Sequence, residues 1–341
     1  MSNHYFITGG AGFIGSNYVS RLLERGEKVT IYDNLSRAGA SRNLAWLQEK
    51  YGKTAFQLTA GDVRDAALLN ASSRDADVII HLAAQVAVTT SVVNPREDFE
   101  INALGTFNVL EAARISERKP VILYASTNKV YGGMEDVKVV EDATRWHYMD
   151  LPQGCPETQP LDFHSPYGCS KGTGDQYVRD YARIYGLRSV VCRQSCIYGP
   201  RQFGVEDQGW IAWMIIAAVT GKPITIYGDG KQIRDVLYVN DLLNAYDAAI
   251  ARIDKVKGQV YNLGGGPENT MSIWTEFGRL LEGLLGRPVP VARADWRPGD
   301  QKVFVADIRK AERELGWKPA VGVEQGVGRL FEWVKTNQDL F

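Results

Sequence analysis

The chain has 341 residues, 45 % of them apolar and 23 % charged, and a formal net charge of −1. This is the balance of a globular protein of one large or two linked domains, with no electrostatic footprint for nucleic acid or an anionic membrane surface. No stretch of 18 apolar residues suggests a membrane span, and Met1-Ser2-Asn3-His4 lacks the parts of a secretion signal, so a cytoplasmic location is expected. The four cysteines, Cys155, Cys169, Cys192 and Cys196, form no Cys-x-x-Cys pair. His147 and His164 show no ligand spacing with them, so free thiols and no metal site are expected.

In chain order, the apolar run Tyr5-Phe6-Ile7 reads as a strand and Phe13–Glu24 as a helix. Between them lies Thr8-Gly9-Gly10-Ala11-Gly12-Phe13-Ile14-Gly15. Glycines at 9, 12 and 15 allow a sharp turn, close approach of a pyrophosphate and tight packing of helix on strand. The free N–H groups at the helix start then face the phosphates. A second run, Lys28-Val29-Thr30-Ile31-Tyr32, ends in Asp33, where a ribose-binding carboxylate is expected. Strand, turn, helix, strand and acid together predict dinucleotide binding, with NAD favoured over NADP.

Further strands are predicted at 56–58, 78–81, 121–124 and 189–192, with helices at 99–116 and 167–185. Strands separated by helices pair in parallel through right-handed crossovers, giving a Rossmann-type α/β doubly wound parallel sheet. Ligands bind beyond the C-terminal ends of such strands, so Asp33, Asp62, Gln85, Thr127 and Ser195 are expected to converge on one crevice. From Met134 to Pro166 the sequence reads as a long functional loop with four prolines. The remainder alternates irregularly, with helices at 210–220, 240–251, 273–285 and 323–335 and short strands at 224–227 and 260–263. It predicts a smaller C-terminal α/β substrate lobe over the crevice. The expected division is 1–192 for the NAD-binding domain and 193–341 for the lobe, with about 236–262 returning to the first.

Tyr167-Gly168-Cys169-Ser170-Lys171 places Tyr167 and Lys171 one helical turn apart, on one face. An ammonium beside a phenol favours the phenolate, which would be a base for a hydroxyl proton near neutral pH.

These motifs, with Asp62-Val63-Arg64, His81-Leu82-Ala83-Ala84 and Ser126-Thr127, resemble those of the extended short-chain dehydrogenase/reductases. The later runs Arg193, Tyr198-Gly199-Pro200, Gly228 to Val236, Asn262 to Gly265, Arg297-Pro298-Gly299-Asp300 and Leu315 to Pro319 carry the resemblance across nearly the whole chain. It points to the NAD-dependent nucleotide-sugar epimerases. Asp33 to Arg37, Ser126 to Gly132, Asp162 to Lys171 and Asp207 to Trp210 resemble the CDP-sugar 2-epimerases in particular.

The resemblance implies Thr127, Tyr167 and Lys171 as catalytic residues. It implies cofactor contacts from Gly9, Gly12, Phe13, Ile14 and Gly15, from Asp33, Asn34, Ser36 and Arg37, and from Asp62 and Val63. Leu82, Ala83, Ala84, Gln85, Asn102, Ala125, Tyr167, Lys171 and Gln194 complete that set. Substrate contacts are implied for Gln85, Thr127, Asn128, Cys196, Gln208, Tyr227, Arg234, Arg297 and Asp300. Arg234 and Arg297 are the expected diphosphate partners, since a planar guanidinium fork matches phosphate oxygens. His164 is expected to order the approach to Tyr167.

Two departures bear on the subclass. The related dehydratases place an Asp-Glu pair after the catalytic threonine, to move the protons of water loss. Here Asn128-Lys129 stand there. Many relatives carry asparagine three residues after the Arg193 equivalent, where this chain has Cys196. An epimerase using NAD as a transient hydride store, acting at C2 of a CDP-dideoxyhexose, is therefore expected. A nucleotide-sugar 4-epimerase, a 4,6-dehydratase and a non-catalytic NAD-binding sensor are the alternatives. A homo-oligomer, dimer or tetramer, is expected through the helices at 99–116 and 168–185.

Overall fold

The computed structural model describes residues 2–297 and 300–341, so Met1 and the Pro298-Gly299 step of the 297–300 motif lie outside the described residues. Its frame is a seven-stranded sheet in the order Val260–Leu263, Arg188–Gln194, Val121–Thr127, Val78–His81, His4–Thr8, Lys28–Asp33, Gln57–Ala60. The pairings from Gln57–Ala60 across to Val121–Thr127 run parallel. His4–Thr8 lies between Lys28–Asp33 and Val78–His81, in register with Tyr5 opposite both Val29 and Val78. The central strands are apolar throughout because helices cover both faces of such a sheet. This is the Rossmann-type sheet expected.

The chain forms two compact units. The first comprises residues 1–130, 165–193 and 246–261; the second comprises 131–164, 194–245 and 262–341. The boundary differs from the expected break at 192. Residues 131–164 belong to the second unit, and of the expected 236–262 only 246–261 lies in the first. The reason is hydrogen bonding. The supposed loop contains an antiparallel hairpin, Val139–Glu141 with Trp146–Tyr148. Arg145 chelates Glu276 at 2.7 Å, and Cys155 N–H donates to the Val305 carbonyl at 2.7 Å.

In the first unit, Phe6, Ile79, Ile122, Tyr124, Val109, Leu110 and Val178 pack as one apolar cluster between the sheet and its helices. The helix Gly105–Ile115 is preceded by a π-helical turn, Glu100–Leu104, which carries Asn102. In the second unit, the strand Ile233–Tyr238 pairs with Thr270–Ser272, Val303–Phe304 and Cys196–Tyr198. Its core gathers Ile211, Ile215, Ile226, Val236, Phe277, Leu281, Leu330 and Phe331.

Candidate active site

The glycine-rich turn leaves the strand His4–Thr8 and enters the helix Phe13–Glu24, whose N-cap Gly12 offers no side chain to its first N–H groups. Gly9 has φ +70°, and a Cβ there would meet the Ala83 nitrogen at 2.8 Å. A Cβ on Gly15 would lie 2.3 Å from the Gly9 carbonyl oxygen. Bare backbone therefore lines a helix N-terminus, with the N–H groups of Phe13 and Ile14 in its first turn; this is the cradle a pyrophosphate requires. Asp33 closes the second strand, buried, and accepts from Ala11 N–H at 3.0 Å and Leu35 N–H at 2.8 Å. Burial raises its pKa, and the two N–H donors oppose that rise.

Beside it, Asn34 accepts from the Ser36 N–H and hydroxyl and donates to Asp62 at 2.9 Å. Arg64 chelates Asp62 and holds it down at about 2. Val63 is buried, its carbonyl accepting from Asn108 at 2.9 Å. Leu82 N–H donates to the Thr8 carbonyl and Ala83 N–H to the Thr8 hydroxyl, which ties the Leu82-Ala83-Ala84 loop to the turn. The glycine turn, Asp33, Asp62 and the Leu82-Ala83-Ala84 loop thus lie at or just past the ends of four neighbouring strands, while Asn102, Tyr167 and Lys171 stand on helical segments. Gln194, buried, is the first residue of the next segment of the second unit.

Thr127 ends the strand Val121–Thr127, while Tyr167 and Lys171 lie in the first turns of the helix Ser165–Tyr185. All three are buried. The Tyr167 backbone N–H donates to the Ser91 hydroxyl at 3.1 Å. The expected lowering of the Tyr167 pKa by Lys171 is not found. Burial pushes Tyr167 up to about 12, and Asp98 adds to the rise; the Thr127 hydroxyl and Arg37 pull it down. The Lys171 ammonium lies 4.3 Å from the centre of the Tyr124 ring instead. Burial draws Lys171 itself down to about 7, against the attraction of Asp175 and Asp98.

The partners Asp98, Thr106 and Asp175 behind this pair escape the sequence reading, which names Ser126, Arg193, Asn102 and His81. Ser126 donates to Asp175 at 2.8 Å, and Arg193 grips both oxygens of Asp175 at 2.9 Å. Asn102 bonds both the N–H and the carbonyl of Gln85, and also Asp98 and Ser170. His81 is fully buried and neutral, with burial lowering it to about 3. Thr106 gives its proton to the Asn102 carbonyl at 2.6 Å, so it accepts from His81 Nε2–H at 3.0 Å. His81 Nδ1 then accepts from the Thr8 hydroxyl at 2.7 Å. The i,i+4 spacings Asp98–Asn102 and Lys171–Asp175 were the available signal for these partners.

After Thr127 come Asn128 and Lys129. The Thr127 hydroxyl donates to Asn128 Oδ1 at 3.3 Å and accepts from Lys129 N–H at 3.2 Å. No carboxylate occupies either position.

In the second unit, Arg297 stacks 3.8 Å over the Tyr227 ring and pairs with Asp207 at 3.2 Å. The Tyr227 hydroxyl donates to Glu206 at 2.9 Å, and Gln208 closes a reciprocal backbone pair with Val205. Arg234 is buried and bound to Asp300 at 2.7 Å. Both arginines thus already hold carboxylates, which a diphosphate would have to share or displace. Cys196 begins a strand beside the apolar core of this unit. Ser195 donates to the Asp235 carboxylate, an internal partner that the crevice reading did not foresee. His164 is exposed and lies 3.8 Å from Asp162.

A dinucleotide cradle and a Thr-Tyr-Lys set on one Rossmann unit define an enzyme of the extended short-chain dehydrogenase/reductase class. The chain matches the GDP-mannose 4,6-dehydratase family over residues 6–330 and belongs to that family. It is 45 % identical to the CDP-paratose 2-epimerase of Salmonella typhi over 97 % of this chain and 98 % of that one. The crystal structure of the UDP-glucose 4-epimerase of Thermotoga maritima with UDP-glucose superposes with a TM-score of 0.84 at 30 % identity, covering 98 % of this chain and 99 % of that one. The UDP-glucose 4-epimerase of Thermus thermophilus in complex with NAD superposes with a TM-score of 0.81 at 29 % identity, covering 98 % and 99 %.

Proposed function

We propose that this protein is an NAD-dependent nucleotide-sugar epimerase that inverts C2 of a CDP-dideoxyhexose, converting CDP-paratose to CDP-tyvelose through a 2-keto sugar. The observation that carries this reading is the 45 % identity with a CDP-paratose 2-epimerase along almost the whole chain. The amide and ammonium of Asn128-Lys129, where a dehydratase needs acids, support epimerisation over water loss.

The glycine cradle with its bare helix N-terminus fits NAD, and Asp33, at the end of the second strand, would hold its adenine ribose. When bound, NAD supplies a reversible hydride acceptor whose oxidised ring is cationic. Tyr167 takes the proton from the sugar hydroxyl and returns it. Thr127 hydrogen-bonds the same oxygen and orients it. Lys171 holds positive charge beside the reacting oxygen and binds ribose hydroxyls. The burial of all three residues keeps bulk water from the proton transfer. Arg297 and Arg234 receive the diphosphate, with Gln208 and Tyr227 beside it, and Gln85, Asn128, Cys196 and Asp300 complete the substrate contacts.

The protein acts in the cytoplasm, in the supply of tyvelose for lipopolysaccharide O-antigen, and as a homo-oligomer. Exposed Phe99, Phe107, Tyr177, Ile184 and Tyr185, on the helices Pro95–Phe99, Gly105–Ile115 and Ser165–Tyr185, support the last point. No helix among the described residues is long and apolar enough to cross a membrane.

NMR of CDP-, UDP- and GDP-sugars incubated with the protein tests the reading. CDP-paratose deuterated at C2 should give CDP-tyvelose still deuterated at C2 in ordinary water. Washout of the label would show direct deprotonation instead. Inversion at C4 of a UDP-sugar, with CDP-paratose untouched, would make the enzyme a 4-epimerase.

A further inference from the structure

Lys171 is only 4 % exposed, and a buried ammonium without a counter-charge gives up its proton. None of the ion pairs among the described residues includes it; its ammonium lies 4.3 Å from the centre of the neutral Tyr124 ring. Two carboxylates act on it through space, Asp175 and Asp98. Asp175, one turn further along the helix, is the stronger of the two, although Arg193 grips both of its oxygens. Asp98 differs. It is 1 % exposed, and no arginine or lysine pairs with it among the described residues. It accepts from Ser170 at 2.5 Å, Asn102 at 3.1 Å and Gln85 at 3.1 Å. Three neutral donors satisfy the carboxylate oxygens without removing their charge. Ser170 is the chain neighbour of Lys171 and also donates to the Tyr167 carbonyl at 3.2 Å. The carboxylate is therefore tied to the helical turn that carries both reacting groups.

We propose that Asp98 is a positioning residue of the reaction, fixed by Ser170, Asn102 and Gln85 as a second counter-charge to Lys171, beside Asp175, that no arginine grips. This rests on the reading of Tyr167 and Lys171 as the reacting pair. The other charged or titratable groups around them are Tyr124 under the ammonium, neutral His81, Arg37 acting on Tyr167, and the Asp175–Arg193 ion pair. Of these only Asp175 is also negative, and Arg193 holds both of its oxygens. Asp98 attracts the Lys171 proton and opposes ionisation of Tyr167. Its removal therefore makes both groups more acidic.

The test is Asp98→Asn in the full chain with NAD bound. The Lys171 titration is followed by NMR of protein labelled with 13C at the lysine ε-carbon, the resonance being identified by its loss in Lys171→Met. The acid-dissociation constant of Lys171 should rise about tenfold or more. The alkaline limb of kcat against pH on CDP-paratose should move down to match, with NAD content unchanged. Ser170→Ala keeps the charge and drops one hydrogen bond, so Lys171 should stay within about threefold. An unmoved Lys171 in Asp98→Asn overturns the proposal. Should that variant not fold, a tenfold change in Ser170→Ala overturns it, because packing and not charge would then set the titration. The NMR readout needs no turnover. Inertness toward every CDP-sugar therefore removes the proposed function while the Lys171 titration still decides the role of Asp98.

Discussion

Replacing Asp235 by asparagine should remove a defined part of the pH dependence of stability. Asp235 is fully buried in the strand Ile233–Tyr238, where its carboxylate accepts from the Ser195 hydroxyl and from Gly266 N–H at 3.3 Å. No cation pairs with it among the described residues. Burial pushes its pKa from 3.8 up to about 6, because the Ser195 and backbone donors offset only part of the lost hydration. In the unfolded chain the group titrates near 3.9. The folded state thus holds the proton more tightly. Its stabilising contribution is complete below about pH 4 and is lost as the pH rises through about 6. Two pKa units at about 1.4 kcal/mol each make that loss roughly 3 kcal/mol. Asparagine does not titrate, so Asp235→Asn should lack this loss, whatever fixed cost its amide brings opposite Gly266. Urea unfolding followed by tryptophan fluorescence suits the measurement. Of the eight tryptophans only Trp46 lies in the first unit, so the signal reports the second. Between pH 4 and 7.5 the unmodified protein should lose about 3 kcal/mol relative to the variant. Parallel stability curves for the two proteins would refute the argument that Asp235 is an uncompensated buried acid.

Tyr167→Phe removes the proton acceptor and keeps the ring, so turnover should fall by roughly 10²–10⁴ with NAD binding retained. Near-normal turnover would assign the proton to another group. Gly15→Ala forces a methyl group to within 2.3 Å of the Gly9 carbonyl, and the turn must open to admit it. NAD affinity, measured by calorimetry, should drop by at least about tenfold, and an unchanged Kd would show that the turn is not the cofactor cradle. Asp33→Gly should weaken NAD and narrow its advantage over NADP, because the carboxylate that repels a 2′-phosphate is gone. Equal affinities of the unmodified protein for the two cofactors would contradict that role.

The parallel sheet was legible because its central strands are continuous apolar runs, each closed by a polar residue at the strand end. The helix Phe13–Glu24 fell where the glycine turn and its periodicity put it. The strand Ile233–Tyr238 was not legible. It holds Arg234 and Asp235 in adjacent buried positions, and only partners far along the chain, Asp300 and Ser195, make that burial tolerable. The hairpin inside residues 134–166 was hidden for a similar reason, since its three-residue strands carry too little pattern to register. Thr127, Tyr167 and Lys171 stood out by motif. Their support did not. Asp98 and Ser170 are 72 residues apart in sequence, and their contact exists only once the fold brings two helices together. The expected acidification of Tyr167 was wrong in direction because spacing reports proximity on a helix and says nothing of burial.

The chain passes between its two units five times, after residues 130, 164, 193, 245 and 261. Neither unit is a contiguous piece of the gene, so no single recombination event can exchange one for its counterpart from a relative. A single crossover would leave at least one of them a mosaic of two parents, with strands of one sheet drawn from different ancestors. Change confined to one unit is then most readily reached by point substitution. Engineered chimaeras should be cut at all five passages together.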